Sequence, residues 1–336
     1  MTVCAGVIGA GTIGQDHIRR LSRVLSNARV TAIADVDQAR ATAVAQATPG
    51  ARAFASGHEL IAAPDVDAVL IATWGPSHEE FVLSALAVGK PVFCEKPLAP
   101  TTDACLRIVD AEIARGLRLV QVGFMRRFDA GYRAMKAVLD KGTLGAPLMV
   151  HCAHRGPSAP PTFTSDMLIS DSAIHELDLM RWLLDEETVA VTVLRPRTSS
   201  AHSDLISPQI VLLESESGVL VDIEVFVNAV YGYDIRCELV GELGTVSLGD
   251  VGDVVVTHAG QRSGHVPEHW IERFRAAYDL EMQAWIDSVG AGRAVGPSAW
   301  DGYAATAAAA AGLESLQSGQ RVAVNMRPRP DFYATG

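Results

Sequence analysis

Apolar and polar positions follow one rhythm up to Phe124 and another beyond it. In the first stretch Val3–Gly9, Arg29–Ala34, Asp67–Thr73, Pro91–Cys94 and Leu119–Gly123 read as short strands. Asp67–Thr73 is continuously apolar rather than apolar at every second position, the pattern of a parallel sheet covered on both faces. Ile13, Ile18, Leu21, Val24 and Leu25 place a helix after the first strand, and Glu79–Val88 reads as another. Past Phe124 comes a predicted helix, Ala130–Lys141, and a strand, Pro147–His154. A helix from about Ser172 follows, with Ile174, Leu177, Leu179, Met180, Leu183 and Leu184 spread around most of its cylinder. A helix apolar nearly all round is buried. Six β-rich runs then succeed one another: Thr188–Leu194, Gln209–Glu214, Val219–Val227, Tyr233–Val240, Thr245–Leu248 and Val254–Thr257. Glu272–Val289 and Trp300–Leu316 close the chain as helices, the second carrying an alanine run of high helix propensity. Alternating α/β units followed by a run of strands predict two domains, an α/β domain over 1–123 and an α+β domain with a large, mostly antiparallel open sheet over 124–336. The C-terminal helix of the second is free to pack back on the first.

The chemistry begins at the first strand. It feeds Gly9-Ala-Gly11-Thr12-Ile13-Gly14, a G-x-G-x-x-G pattern, and a helix follows directly. A second strand then ends in Asp35, about 20 residues on. In that setting the glycines permit a tight turn and let backbone N–H groups reach a pyrophosphate at the helix N-terminus. The first domain is therefore expected to be a Rossmann dinucleotide-binding domain. Asp35 is expected to accept hydrogen bonds from ribose hydroxyls and to repel a 2′-phosphate. With Val36 rather than arginine beside it, NAD is favoured over NADP; Arg40 is the nearby cation that works against this.

Length and charge narrow the field. A chain of 336 residues with 49% apolar and 20% charged residues has the composition of a folded two-domain protein. Its formal charge of −11, with no compensating basic cluster, argues against nucleic acid and anionic membranes as partners. The N-terminus has no basic region of the kind that begins a signal peptide, and no apolar run is long enough to span a bilayer. Five scattered cysteines, none in a C-x-x-C pair, fit reduced thiols in a cytoplasmic protein. No grouping has zinc-ligand spacing, so no metal is expected.

Two further constellations carry competing readings. Glu95-Lys96-Pro97 ends a strand on the edge where such sheets bind ligands. Lys96 is either a surface lysine in a turn or an ammonium that polarises a substrate oxygen. Thr73, Trp74 and His78 lie on the neighbouring loop, where His78 either contacts cofactor or caps a helix. On the buried helix, Asp171, His175 and Asp178 stand at i, i+4 and i+7, on one stripe. They form either a cap with a structural network, or an acid/base site in which a carboxylate orients a histidine.

Taken together, these motifs resemble the glucose–fructose oxidoreductase/inositol dehydrogenase family. Downstream, Gln121–Phe128, Pro147–Arg155, Ser172–Asp178, Pro208–Val211, Tyr231–Glu238, Ala299–Tyr303 and Pro330–Tyr333 resemble its inositol branch, so that the likeness covers nearly the whole chain. The resemblance implies Lys96, Asp171 and His175 as catalytic residues. It implies that Met125, Arg126, His154, Ser172 and Tyr233 line a polyol pocket or approach the nicotinamide, and that Glu95, Lys96 and Arg126 join the cofactor contacts. It further implies NAD-dependent oxidation of an unphosphorylated polyol, myo-inositol at its axial 2-hydroxyl, in a homotetramer. The same chemistry on scyllo- or D-chiro-inositol or on an aldose is the alternative, and a cofactor-bound regulator without turnover is a third. Ser172 departs from the threonine expected in close relatives, and the loop Gly156–Thr164 has no evident counterpart.

Overall fold

The computed structural model describes residues 2–200, 204–249 and 255–334. By its contacts the chain divides into two units. The first takes the chain through Met125, then Tyr278–Thr306 and the residues from Arg327 on. The second takes Arg126–Ala277 and Ala307–Met326.

In the first unit the elements alternate: β1 (Val3–Ile8), α1 (Thr12–Arg23), β2 (Ala28–Ala34), α2 (Gln38–Ala47), β3 (Arg52–Phe54), α3 (Gly57–Ala62), β4 (Ala68–Ile71), α4 (His78–Val88), β5 (Val92–Glu95), α5 (Thr102–Arg115) and β6 (Val120–Gly123). The sheet runs β3-β2-β1-β4-β5-β6, with every neighbouring pair parallel. This is the doubly wound Rossmann order, whose ligand crevice opens beyond the strand ends where β1 meets β4. Strands β4, β5 and β6 are buried at every position, Glu95 and Gln121 included. The short edge strand β3 left no trace in the hydrophobic pattern because none of its three residues is buried. Asp37, Ser56 and Thr101 start α2, α3 and α5 by accepting a backbone N–H in the first turn. Val7, Leu70 and Phe93 share a core with Met282, Trp285 and Ile286 of the helix Arg275–Ala291. The chain end is bound into the same unit: the Tyr333 hydroxyl donates to buried Glu112 at 2.6 Å.

The second unit holds α6 (Ala130–Asp140), β7 (Pro147–Arg155), α7 (Ile174–Leu184), β8 (Thr188–Leu194), β9 (Gln209–Ser215), β10 (Leu220–Phe226), β11 (Asp234–Gly241) and β12 (Gly244–Ser247). After them come β13 (Val255–His258), β14 (Gln261–Gly264), the short α8 (Trp270–Arg273) and β15 (Val322–Ala323). The large sheet runs β12-β11-β7-β10-β9-β8-β15. It is antiparallel except at the β7–β10 pair, which is parallel. Val254, where the last predicted strand was to begin, lies outside the described residues; the strand there is Val255–His258. β14 is too polar, and β15 at two residues too short, to have shown in the sequence. Strand β9 alternates, burying Gln209, Val211, Leu213 and Ser215 and turning the residues between them away. One face of the sheet is thus covered and the other is not. Met149 and Leu220, register partners on β7 and β10, stay 40% and 55% exposed.

Candidate active site

The first unit supplies a glycine-lined cradle at the carboxyl ends of β1 and β4. Gly9 sits at φ +98°, and a Cβ there would lie 2.4 Å from the Ala72 carbonyl oxygen. A Cβ on Gly14 would lie 2.0 Å from the Gly9 carbonyl oxygen, so α1 packs onto the turn only because both positions lack side chains. Gly11, at the N-cap of α1, faces open space within 4 Å of where its Cβ would be. Thr12 is exposed and Ile13 half-buried beside it. A helix N-terminus with free N–H groups and room before it fits a pyrophosphate.

Asp35 ends β2 next to this turn and is 8% exposed. It accepts from the Ala10 N–H at 2.6 Å and the Asp37 N–H at 2.8 Å. The Arg40 guanidinium also grips it, with Nη2 donating at 2.6 Å and Nε at 3.1 Å. Burial alone would raise this carboxyl's pKa, but the Arg40 and backbone hydrogen bonds outweigh it and hold the group below the usual carboxylate range. Val36 follows, 97% exposed.

On the same edge, Thr73 and Trp74 follow β4. The Thr73 hydroxyl accepts from Ser77 at 2.8 Å, and Trp74 is 81% exposed. His78 does not cap α4; its two ring nitrogens face the carbonyls of Pro97 and Thr73. Glu95 is buried, and Lys96 beside it is half-buried. Cys94 is fully buried, and burial pushes its thiol well up, so it serves packing.

In the second unit the helix differs from expectation. Leu168–Ala173 is a π-helical turn, and the α-helix starts only at Ile174, without a side-chain cap. Asp171 therefore does not cap this helix. Asp171 and His175 lie on either side of the π-to-α junction, so simple i, i+4 geometry does not describe their relation. A π-turn changes the angle between successive side chains and recurs at functional sites. Asp171 and Ser172 are half-buried, while His175 is 8% exposed. Asp178 is buried and held by both Nε and Nη2 of Arg127.

The remaining candidates form a network. Arg126, 1% exposed, donates to Glu176. Nδ1 of His154 lies 3.1 Å from Glu176 Oε2 and 3.2 Å from Arg126 Nη2. One nitrogen cannot donate to the first and accept from the second; the carboxylate favours donation, and Nε2 then accepts from the Tyr233 hydroxyl at 3.2 Å. Burial opposes the Glu176 charge, but Arg126 and His154 overcome it and bring its pKa down to about 2. Tyr233 is pushed up to about 12, chiefly by burial. Met125, in the first unit, is buried at 1% exposure.

Glu176 was invisible in the sequence as anything but a helical residue, because its partners come from 22 and 50 positions away. Asn228 was missed as well. It is 5% exposed, neither atom of its amide has a partner among the described residues, and the neighbouring Ala229 N–H bonds Gly156 at 2.8 Å. A buried, unpaired amide at the root of the Gly156–Thr164 loop is suited to meeting a hydroxyl.

Residues 3–124 match the oxidoreductase family with NAD-binding Rossmann fold, and residues 136–324 match that family's C-terminal alpha/beta domain. The chain belongs to the GFO/IDH/MocA oxidoreductase family. Within it, inositol 2-dehydrogenase from Ralstonia nicotianae is 56% identical, over 99% of each chain. Inositol 2-dehydrogenase 3 from Saccharopolyspora erythraea is 55% identical over 99% of this chain and 98% of that one. Among solved structures of the family, myo-inositol dehydrogenase from Lactobacillus casei in complex with NAD(H) and myo-inositol aligns with a TM-score of 0.96. It is 40% identical, covering 99% of this chain and all of that one. Among the described residues no helix is long and apolar enough to cross a membrane, and no three His, Cys, Asp or Glu residues cluster as metal ligands.

Proposed function

We propose that the protein is an NAD-dependent inositol 2-dehydrogenase that oxidises myo-inositol at its axial 2-hydroxyl to 2-keto-myo-inositol. The observation that carries this is likeness over the full length, at 55–56% identity, to proteins of that name. The glycine cradle, α1 and Asp35 would hold NAD, which when bound supplies the hydride acceptor. Thr73, Trp74, Val36 and Arg126 are assigned to the same cofactor. Oxidation takes a hydride from the carbinol carbon and a proton from its hydroxyl, leaving a ketone. In this reading His175 takes the proton, Asp171 orients the imidazole, and Lys96 stabilises the oxygen as charge develops on it.

The buried Arg126–Glu176–His154–Tyr233 network supports a specific pocket. Its side chains are locked by one another, so any polar group they present to substrate is pre-oriented. Met125, Ser172 and Asn228 complete the proposed lining. A site built to bond hydroxyls rejects isomers that leave buried polar groups unpaired. The test is NADH formation with myo-, scyllo- and D-chiro-inositol at equal concentration. Clear preference for scyllo-inositol overturns the substrate and leaves the chemistry standing.

We also propose a cytoplasmic homotetramer. The uncovered sheet face with its half-exposed Met149 and Leu220 supports self-association. Light scattering that gives a monomer at micromolar concentration contradicts it.

A further inference from the structure

The Lys96 turn is flanked by two buried histidines. On its N-terminal side, His17 of α1 is wholly buried and its Nε2 lies 2.7 Å from Glu95 Oε1. The ring packs edge-on against Phe93 and Tyr278, with centroids 5.6 and 5.7 Å away. Nδ1 of His17 has no partner among the described residues. A neutral ring carrying its proton on Nε2 leaves only a lone pair unmatched there, whereas a charged ring would strand a buried N–H. The other oxygen of Glu95 accepts from the Lys96 backbone N–H at 3.2 Å. A Cβ on Gly123 would approach that carboxylate to 3.0 Å, so a side chain there would disturb it.

On the C-terminal side, His78 of α4 is 1% exposed. Its Nδ1 lies 2.7 Å from the Pro97 carbonyl oxygen and its Nε2 3.0 Å from that of Thr73. Carbonyls only accept, so a neutral ring serves one of them, and the shorter contact assigns the proton to Nδ1. Burial lowers this imidazole's pKa and outweighs the Pro97 and Thr73 carbonyl hydrogen bonds and Glu95, all of which raise it; Lys96 lowers it further. The neutral form, with one donor, is the one present near pH 7.

We propose that His17 and His78 are positioning residues for the reaction. They fix the backbone on both sides of Lys96, one through the Glu95 carboxylate and one through the Pro97 carbonyl. Because His17 stands on the helix whose N-terminus faces the cofactor cradle, the turn that carries the ammonium is registered to the cofactor site by a rigid element. This inference rests on the role proposed above for Lys96.

The test compares apolar replacements with replacements that keep one donor. His17→Met and His78→Leu remove the hydrogen bonds at similar volume; His17→Gln retains a donor at the Nε2 position and His78→Asn at the Nδ1 position. The readouts are kcat, NAD affinity by fluorescence titration, and the primary isotope effect with myo-inositol deuterated at C2. Displacing Lys96 slows the C–H step itself, so both apolar variants should lose about tenfold or more in kcat. Their isotope effect should rise and their NAD affinity should hold, while the Gln and Asn variants recover most of the rate. A purely structural role lowers the active fraction and leaves the isotope effect where it was; that result, or unchanged kcat, overturns the proposal. If an apolar variant does not fold, Glu95→Gln carries the test on the same readouts, and unchanged turnover and isotope effect refute the clamp. Lys96→Ala is run alongside: near-normal turnover there sinks the lysine's role, which is a separate failure.

Discussion

In the first unit the ligand edge is shaped by side chains that are absent. Gly9 and Gly14 let strand, turn and helix close on one another, and the groups offered to a ligand are backbone N–H donors. In the second unit the proposed pocket rests on long side chains that hold one another: Arg126, Glu176, His154 and Tyr233, with Arg127 on Asp178 beside them. A backbone site tolerates much variation as long as its glycines stay. A side-chain network fails when any one member leaves, because the others are buried and polar, two of them charged.

That contrast predicts where the largest effect falls. Glu176→Gln leaves the buried Arg126 guanidinium unpaired and should cost roughly 3–5 kcal/mol in urea unfolding. The sign with pH follows from the depressed pKa. The stabilisation that ionised Glu176 provides is complete above its ordinary carboxyl value of 4.5, and it is lost as pH falls toward about 2. The wild type should therefore lose stability across that window more steeply than the Gln variant. Parallel acid limbs in melting temperature against pH would contradict the ion pair.

Next comes His175→Ala, expected to lower turnover by roughly 10² or more while NAD binding survives. Near-normal turnover removes His175 as the base. The mirror experiment in the first unit is Gly14→Ala. Its methyl lands 2.0 Å from the Gly9 carbonyl oxygen, so NAD affinity should drop and stability fall by about 1–3 kcal/mol. A Gly14→Ala variant that binds NAD normally would show that the cradle is not built on this close approach.

The smallest effect sharpens cofactor choice. Arg40 already sits on Asp35, so removing the carboxylate frees a cation at the place where a 2′-phosphate would arrive. Asp35→Ser alone should shift the preference toward NADP by about tenfold, and adding Arg40→Ala should cancel the gain. A single substitution with no effect on NADP use would show that Arg40 does not reach that phosphate.

Much of this was legible along the chain. The continuous apolar run of β4, the glycine spacing and Asp35 follow from local rules, because a parallel strand and a phosphate turn are specified by a handful of adjacent residues. The alternate burial of β9 was not legible, because Ile210, Val211, Leu212 and Leu213 form one unbroken apolar run. Edge strand β3 was lost for want of buried residues, and the π-turn at Leu168–Ala173 was lost because Ser170, Asp171 and Ser172 read as the approach to a helix.

What the chain order could not reveal is pairing across distance. Glu176 was one more helical carboxylate until Arg126 and His154 arrived against it, and nothing along the chain set His17 against Glu95. His78 was open between two roles, and the fold brought the Pro97 and Thr73 carbonyls to its two nitrogens. Periodicity and motif report neighbours within one turn of helix or one strand, so they determined the elements and the cofactor cradle. Which buried charge meets which partner is set by how elements far apart in sequence pack, and only the tertiary structure decided it.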